Sequence, residues 1–335
     1  MAVVSCALAL LSGVIGAGFA SGREIVCFFA GHGRAAGAAV VCALLTLHIL
    51  FLCLPAALER SGCTSLPSLC RVRFGRRLGA LCGGLFFALF ALTGGAMLAA
   101  CAELCALTFP FRHAYGAGLA LSLLFASLLS LRGAAGLALP GAALCAVLPA
   151  LLISLLALPA GEACFLPAMT PGLPVRAALD GAAYSALNAA MLGGSLPLLL
   201  SLSREKRRQA VTLFSVLFGA LLTLGMLVCR RHLPSVFAQP LPFVALSRRL
   251  GLTGYFLCAA AMYAAAFSTL TTMLLGLTRM LPLPRPGGCA LCALVCLCAA
   301  QIGFGPLIES GYPVLGALCA GLMLLLCLPS CPQSP

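Results

Sequence analysis

Charged side chains are scarce in this sequence. Asp, Glu, Lys and Arg make up 8% of its 335 residues, whereas hydrophobic residues make up 62%. A soluble domain carries about 25% charged residues, so this composition excludes a domain that folds surrounded by water. Apolar runs long enough to cross a bilayer core of about 30 Å recur along the chain. The lipid bilayer is therefore the expected surroundings of most of the protein.

A second absence is the strict alternation of polar and apolar residues that marks the strands of a membrane β-barrel. Leu, Ala and Gly dominate the apolar runs instead. Inside a bilayer the backbone polar groups must pair within the chain, which leaves helices as the remaining solution. The sequence predicts an all-α, polytopic membrane protein with a single transmembrane domain over residues 1–335.

Catalytic and metal-binding motifs are absent as well. The sequence has no GxSxG, HExxH or Walker motif, so we expect neither an enzyme nor an ATP-driven pump. Most of the 20 cysteines lie inside apolar runs, where a thiol behaves as a small hydrophobic group. Cys289 and Cys292 form a CxxC without a second pair or a histidine at zinc spacing. We therefore expect no cofactor and no transition-metal site.

The formal net charge of +13 does not indicate a nucleic-acid partner. The basic residues lie between apolar runs, where the positive-inside rule and anionic lipids account for them. A cytoplasmic N-terminus places the basic segments 60–77 and 204–208 inside. An even number of spans returns the C-terminus to the cytoplasm. The first apolar run lacks a basic n-region and a clean cleavage site, so we expect it to be kept as a span.

The apolar runs predict about ten membrane spans. These divide into two repeats of five, residues 3–158 and 176–329, and the repeats have opposite orientations because five is odd. The predicted spans are 3–30, 36–58, 79–107, 116–131, 137–158, 176–202, 209–229, 251–278, 287–304 and 312–329. The segment 230–250 is rich in proline and basic residues, and is either a cap over the outer face or an ordinary loop.

The first span is interrupted by glycine. Four glycines fall within residues 13–22, in the middle of an otherwise helical run. Glycine weakens a helix and permits backbone angles that unwind it. Unwound backbone in a membrane is tolerated around a cavity, where it can bind a solute or an ion. The alternative is close helix packing, since Gly18 and Gly22 also have GxxxG spacing. The candidate solute-binding residues here are Gly16, Ala17, Gly18, Phe19, Ser21 and Gly22.

The sixth span contains a matching interruption. Asn188 is polar at mid-span, and Gly193, Gly194 and Pro197 follow within ten residues. Proline removes a backbone donor and kinks a helix. Interruptions at corresponding positions of two halves are a pointer to a transporter site. We therefore add Tyr184 and Asn188 to the candidate solute-binding residues.

Hydroxyl groups cluster in the eighth span. Ala265, Ser268 and Thr269 have helical spacings of three and four, so they share one face. A freed carbonyl and two hydroxyls are oxygen ligands suited to a hard cation. The alternative is that the hydroxyls bond back to the preceding helical turn, as is common in membrane helices.

Glu24 and Glu103 are acidic residues within the predicted spans. Glu103 lies in the third span, and a carboxylate inside a membrane is a functional candidate by default. We include it in the solute site, where it is suited to carry a proton. The alternative is that it pairs with a backbone group near a helix end. Glu24 follows the first interruption, and we interpret it as a cap of the second half-helix rather than as a gate with Arg23.

The first interruption resembles a known signature. The run Gly16-Ala-Gly-Phe-Ala-Ser-Gly-Arg-Glu-Ile25, followed by Phe28-Phe29, is similar to that of the YkvI-type bacterial membrane proteins. That family belongs with the amino acid–polyamine–organocation superfamily, which has the LeuT-like fold of two inverted five-helix repeats. The resemblance implies a multi-pass protein of the bacterial cytoplasmic membrane. It also implies a solute site between broken helices one and six.

The resemblance further implies a sodium-like site. In sodium-coupled members of the superfamily, one ion lies between backbone carbonyls of span one and a small residue plus two hydroxyls of span eight. Matched motif to motif, the residues here are Ser12, Ile15, Ala265, Ser268 and Thr269.

Two departures limit what is carried over from that superfamily. The better-known amino-acid carriers often have an Asn or a charged ligand at the first break, where this chain has Gly13 and Gly16. Protons are therefore the alternative coupling ion to sodium. The metal-ion branch of the fold has an Asp-Pro-Gly-Asn break, which this chain lacks, and Met191 alone does not restore a soft-metal site.

These observations favour a secondary active transporter. It is expected to carry a small solute, an amino acid or a related compound, coupled to Na⁺ or H⁺ by alternating access. One alternative is a solute-sensing receptor that has the transporter fold without coupled transport. Another is a structural subunit whose glycines serve only to pack helices.

Overall fold

The computed structural model describes residues 2–133, 138–160, 173–233, 236 and 239–328. Throughout these ranges the regular elements are helices, and they contain no strand. Seven helical segments are long and apolar enough to cross a membrane: Ala30–Arg60, Leu66–Thr108, Ala114–Arg132, Pro174–Leu200, Arg204–Arg231, Pro242–Met280 and Phe304–Cys327. Shorter apolar helices add to these at Ala2–Val14, Val147–Ala157 and Arg285–Ala300. The all-α, multi-pass membrane class is thereby confirmed.

The helices of the first half are α1 (Ala2–Val14), α2 (Ala17–Ser21), α3 (Arg23–Phe28), α4 (Ala36–Arg60), α5 (Leu66–Thr108), α6 (Ala114–Arg132) and α7 (Ala138–Ala157). A 3₁₀ turn at Ala30–Ala35 connects α3 to α4. The predicted fifth span began at residue 137, which lies outside the described residues.

The helices of the second half are α8 (Pro174–Met191), α9 (Leu196–Leu200), α10 (Arg204–Arg231), α11 (Pro242–Ser247), α12 (Gly251–Met280), α13 (Arg285–Ala300), α14 (Phe304–Pro306) and α15 (Tyr312–Cys327). Short 3₁₀ turns lie at Leu192–Ser195 and Arg248–Leu250, and a π-helical turn lies at Leu307–Gly311.

Large apolar side chains face outward along the helices. On α4, Val41, Leu45 and Ile49 are 57%, 59% and 54% exposed, and their spacing of four places them on one stripe. The opposite face of the same helix buries small residues, among them Ala36, Ala39 and Ala43. Such an outer surface is stable in hydrocarbon and unstable in water, which agrees with a bilayer around the bundle.

Helix α8 is held closely between two neighbours, α4 and α15. A side chain at Gly181 of α8 would collide with the backbone carbonyl of Ala39 on α4. On the other side, a Cβ at Gly316 of α15 would lie 3.0 Å from the carbonyl oxygen of Ala183. Glycine at these two positions lets the three backbones approach closely.

Part of the segment 230–250 covers the end of the first broken helix. Residues 234–235 and 237–238 fall outside the described part, but α11 buries Phe243 and Val244. The ring of Phe243 lies against Gly22, where a Cβ would be 2.8 Å from its nearest atom. The described part of this segment therefore folds back onto the bundle, as a cap would.

Candidate solute-binding site

A cavity of about 570 Å³ lies among α1, α3, α5, α8, α9, α12 and α15. Both helix interruptions reach it. The residues of the first broken helix that line it are Ser12, Gly13, Val14, Gly16 and Glu24, and those of the second are Met191, Leu192, Gly193, Gly194, Ser195 and Pro197. The volume suits a small organic molecule.

The two ends of the cavity differ. Its mouth is formed by Thr64–Pro67 before and at the start of α5, and by Arg279 and Met280 at the end of α12. The deep end is lined by Glu24 and by the polar side chains of Thr93 and Tyr312. The walls between them are mainly apolar, with Phe86, Phe90, Met97 and Met273.

The first broken helix leaves helical geometry twice. After α1, the Ile15 amide donates to the Leu11 carbonyl at 3.0 Å, and Gly16 then takes extended backbone angles. The second departure is at Gly22, whose φ of 83° lies in the left-handed region that glycine tolerates. The Ser21 hydroxyl bridges this turn, since it donates to the Gly18 carbonyl at 2.9 Å and accepts from the Arg23 amide at 3.1 Å.

The turn at Gly22 directs Glu24 back toward the cavity. The Glu24 residue is 4% exposed, and its carboxyl group lies where a side chain on Gly18 would have to be. The Tyr184 hydroxyl donates a hydrogen bond to Glu24 Oε2 at 3.2 Å. At the start of α3 the Ser21 hydroxyl accepts from the Arg23 amide, whereas the Glu24 carboxyl group lies toward Tyr184 and Gly18, so the interpretation of Glu24 as a helix cap is not supported by its geometry.

Tyr184 is fixed in an aromatic cluster. Its ring centroid lies 5.2 Å from Phe28, 5.1 Å from Phe29 and 6.5 Å from Phe218. The side chain is fully buried and does not line the cavity, but it donates to Glu24, which does. Tyr184 therefore acts behind the cavity wall, where it orients the carboxyl group.

The second interruption is a milder one. Helix α8 ends at Met191, a single 3₁₀ turn follows, and α9 begins at Leu196 with Pro197 in its first turn. The Thr93 hydroxyl of α5 donates to Met191 Sδ at 3.5 Å. Asn188 does not line the cavity, because its side-chain amide donates to the Tyr184 carbonyl of its own helix at 2.9 Å.

The hydroxyl face of α12 lies opposite the first interruption. Ser268 and Thr269 line the cavity, and a Cβ on Gly16 would lie 3.5 Å from Thr269 Oγ1. The Ser268 hydroxyl donates to the Ala265 carbonyl at 3.0 Å, which is the back-bonded arrangement. Thr272 similarly donates to the Ser268 carbonyl at 2.9 Å.

The predicted site residues thus fall into three groups. Those that line the cavity are Ser12, Gly16, Ser268 and Thr269. Those buried directly behind its wall are Ile15, Ala17, Gly18, Phe19, Ser21, Gly22, Tyr184, Asn188 and Ala265. Glu103 belongs to neither group, and its part in solute binding remains only a prediction.

Glu103 lies near the end of α5, away from the cavity. Its carboxyl group accepts a hydrogen bond from the Phe304 backbone, and Oε2 has no hydrogen-bond partner among the described residues. Phe304 starts α14, the short helix that leads into α15. The position of Glu103 is therefore that of a contact between helix ends.

The end of the bundle opposite the mouth is closed by polar contacts. Arg23 forms an ion pair with Glu309 in the π-helical turn before α15. The same guanidinium donates to the Gln239 carbonyl at 3.1 Å, in the segment that leads to α11. Arg23 therefore connects α3 to the π-helical turn before α15 and to the segment that leads to α11.

Several lining residues were not predicted from the sequence. Glu24 was assigned to a cap, and Thr93, Met97, Phe86, Phe90 and Tyr312 were not singled out. A carboxylate inside an apolar span was the available signal for Glu24, the same signal that selected Glu103. Among the described residues, no three His, Cys, Asp or Glu side chains come together as a metal-binding group.

The fold is similar to that of solved structures. No protein-family model and no curated protein sequence matches the chain. Solved structures of two variants of the manganese transporter of Eremococcus coleocola match with TM-scores of 0.65 and 0.64, at 17% and 16% identity, over 97% of this chain and 78% of theirs.

A complex of the same transporter with an aromatic bis-isothiourea-substituted compound matches with a TM-score of 0.58 at 17% identity, over 97% of this chain and 76% of that one. Because the sequence identities are 16–17%, the comparison shows a similarity of fold alone. The chain is a multi-pass membrane protein with the fold of a membrane transporter.

Proposed function

We propose that this protein is a secondary active transporter of a small solute, an amino acid or a related compound. The observation that carries the proposal is the convergence of two helix interruptions on one cavity, which is accessible from one end and closed at the other. Backbone freed from helical pairing is stable in a membrane only inside protein or around such a cavity. In alternating access, the carrier opens the closed end of the cavity and closes the open one.

The packing supports an inverted repeat of five and five helices within the single domain 1–335. In this scheme α1–α3 correspond to α8–α9, α4 to α10, α5 to α12, α6 to α13, and α7 to α14–α15. Contacts of one half then recur in the other: α1 packs on α10 as α8 packs on α4, and α1 packs on α7 as α8 packs on α15. Counting the interrupted and shorter helices gives ten spans.

The closing contact of the proposed carrier is the Arg23–Glu309 ion pair. It joins the second half of the first broken helix to the start of α15, and Arg23 also holds the segment before α11. In the orientation predicted from the basic loops, this end faces outward and the mouth at Thr64–Pro67 faces the cytoplasm. The structure then corresponds to an inward-open state.

Sodium and protons are the candidate coupling ions. The proposed sodium site uses the carbonyls of Ser12 and Ile15 and the Ala265, Ser268 and Thr269 group of α12. This sodium site is supported by the short distance between the two elements: a Cβ on Gly16 would lie 3.5 Å from Thr269 Oγ1. A back-bonded hydroxyl such as that of Ser268 keeps its oxygen lone pairs for a cation.

Manganese transport is not our proposal, although the similar solved structures are of a manganese transporter. Manganese prefers carboxylate, carbonyl and water ligands. Among the described lining residues Glu24 is the single carboxylate, and Met191 provides a thioether. A solute-sensing receptor with this fold is the other alternative, and it differs by binding without uptake.

The test is uptake into proteoliposomes. A pooled set of labelled amino acids is offered with sodium and proton gradients imposed separately, and manganese is offered as its own arm. We expect concentrative uptake from the amino-acid pool with one of the two gradients. Stabilisation of the protein by the pool without uptake would favour the receptor, and uptake of manganese alone would contradict the proposal.

The matched variants are Gly18→Leu and Gly321→Leu. A side chain at Gly18 collides with the Glu24 carboxyl, whereas Gly321 is exposed on α15 with nothing within 4 Å of a Cβ. We expect Gly18→Leu to abolish uptake while the protein still inserts, and Gly321→Leu to leave uptake within about twofold. Undiminished uptake by Gly18→Leu would count heavily against the proposed site.

A further inference from the structure

The deep end of the cavity contains a buried carboxyl group without a cationic partner. Ion pairs among the described residues join Arg23 to Glu309, His32 to Asp180 and Arg207 to Glu59. None of these pairs includes Glu24, although Arg23 is its neighbour in sequence. The Glu24 carboxyl group accepts a hydrogen bond from the Tyr184 hydroxyl, lies against the Gly18 backbone and lines the cavity.

A carboxylate in such a place is stable in only two forms. An isolated ion transferred into a low-dielectric interior carries a large free-energy cost, so it either takes up a proton or binds a cation. The protein does not provide that cation within the described residues. It must therefore arrive through the cavity, as a proton or as a positively charged group of a solute.

The walls of the cavity indicate the chemistry of such a solute. Arg279, at the mouth, is the one basic side chain among the described lining residues, so nothing basic competes for Glu24 at the deep end. Phe86, Phe90 and Tyr312 present aromatic rings, which attract cations as well as apolar groups. This surface suits an ammonium group attached to an apolar body.

We propose that Glu24 is a shared site for a proton and for the positively charged nitrogen of the transported solute, so that the carrier exchanges an organic ammonium ion for a proton. This inference rests on the proposed function and specifies its substrate class. Alkyl and arylalkyl amines qualify, and amino acids qualify through their ammonium group.

The exchange balances in charge and atoms. When the ammonium ion binds, the O–H bond of the Glu24 carboxylic acid breaks and its proton passes to water in the cavity. The carboxylate left behind forms an ion pair with the ammonium, and no bond of the solute breaks. On the other side of the membrane a proton returns to Glu24 as the solute leaves. The Tyr184 hydroxyl donates to Oε2 in the ionised state and keeps the group in place.

Other titratable groups around Glu24 do not substitute for it. Cys27 on α3, Tyr184 on α8 and Tyr312 on α15 interact with it electrostatically. On α5 the facing side chain is Thr93, and on α12 the lining side chains nearest this end are Ser268 and Thr269, which do not titrate. Thiols and phenols ionise above neutral pH. His32, on the 3₁₀ turn packed against α3, is paired with Asp180. Among these groups the Glu24 carboxyl group is the one that lines the cavity and can exchange a proton for an ammonium ion.

The experiment measures proton release on binding. Purified full-length protein in weakly buffered detergent receives a pool of primary alkyl and arylalkyl amines, and a pH indicator reports released protons. We expect release that approaches roughly one proton per protein, since one cation replaces one proton. The same pool after N-acetylation carries no charge, and we expect it to release none.

Substitutions test whether the released proton comes from Glu24. Glu24→Gln keeps the size of the side chain and removes the charge, and Glu205→Gln, at an exposed acidic residue in the first turn of α10, is the control that should leave proton release unchanged. We expect Glu24→Gln to abolish release with an undiminished Tm, because a buried acid is replaced by a neutral group. Glu24→Asp provides a folded acidic variant for comparison, with partial release.

Three outcomes would overturn the inference: no release by the amine pool, equal release by the acetylated pool, or unchanged release by Glu24→Gln. Uptake of uncharged or anionic solutes by a wild-type protein that releases no protons would contradict this inference and leave the transporter proposal intact. An absence of uptake for every solute class would contradict the transporter proposal itself.

Discussion

The two broken helices are interrupted in different ways. Between α1 and α3 the chain leaves the helix at Ile15–Gly16 and again at Gly22, whereas between α8 and α9 it tightens into one 3₁₀ turn. The first interruption presents extended backbone and a carboxyl group to the cavity. The second presents a thioether and a largely apolar wall. Matching positions in two halves therefore do not imply matching roles: the first helix provides the polar groups, and the second provides shape.

The two helices are also anchored at opposite ends of the bundle. Arg23 holds the first beyond its break, through Glu309 and the Gln239 carbonyl. Arg207 holds the second, since it donates to the Leu199 carbonyl at 2.9 Å and to Glu59. An arginine after each break, at opposite ends, agrees with the inverted orientation proposed for the two halves.

Substitution of glycine is the strongest way to test this difference. Gly22→Ala forces a left-handed residue to carry a Cβ, which also lies 2.8 Å from the Phe243 ring. We expect a loss of about 2–4 kcal/mol in the free energy of unfolding, from backbone strain and overpacking together. Thermal unfolding in detergent measures it.

The matched control for this change lies in the second interruption. Gly194→Ala meets nothing within 4 Å and has no left-handed backbone angle. We expect its Tm to be unchanged or slightly higher, because alanine favours helix over glycine. Equal losses from the two substitutions would show that the interruptions are equivalent after all.

The second prediction concerns the anchor of the second broken helix. Arg207→Gln leaves the carbonyls of Leu199 and Leu202 without their guanidinium donor, in a residue that is 5% exposed. We expect a loss of about 1–3 kcal/mol, with faster amide hydrogen exchange in residues 196–203 than elsewhere. Arg208→Gln, on the exposed side of the same helix, should change neither quantity. Uniform exchange across the bundle would argue against a local anchor.

The smallest expected effect concerns the proposed sodium site. Thr269→Ala removes the hydroxyl that faces Gly16, and we expect the sodium concentration for half-maximal uptake to rise about tenfold, equivalent to ~1.4 kcal/mol. Thr272→Ala is the control, because its hydroxyl also lines the cavity but is not among the proposed sodium ligands. Identical sodium dependence in wild type and Thr269→Ala would remove sodium from the proposal and leave protons.

The sequence was sufficient for the membrane class and for the positions of both interruptions. Span length, glycine and proline are local signals, and they correctly placed the breaks within residues 13–22 and 188–197. Side-chain direction was not accessible in the same way. On a continuous helix, Gly18 and Glu24 are six residues apart and face different directions. The left-handed turn at Gly22 brings them into contact, so the position of Glu24 depends on a backbone angle rather than on spacing.

Glu103 illustrates the converse case. Its span was expected to line the site, and a carboxylate in an apolar run is a strong signal. Helix α5, however, extends from Leu66 to Thr108 with a kink at Gly75, and its cavity-facing part lies around Thr93 and Met97. Glu103 comes nearly two turns beyond that part, at the closed end. Depth along a long helix is fixed by its neighbours, which the sequence does not reveal.

The close contacts of α8 have a mechanical consequence. Gly181 brings α8 against the backbone of α4, and Gly316 brings α15 against the backbone of α8, so none of the three can slide along another without a steric collision. They form a stiff three-helix plate, and α9 is attached to it through the 3₁₀ turn at Leu192–Ser195. We therefore expect a rearrangement of the second broken helix to rotate about that turn, with Gly193 and Gly194 as the hinge and the three-helix plate as the fixed frame.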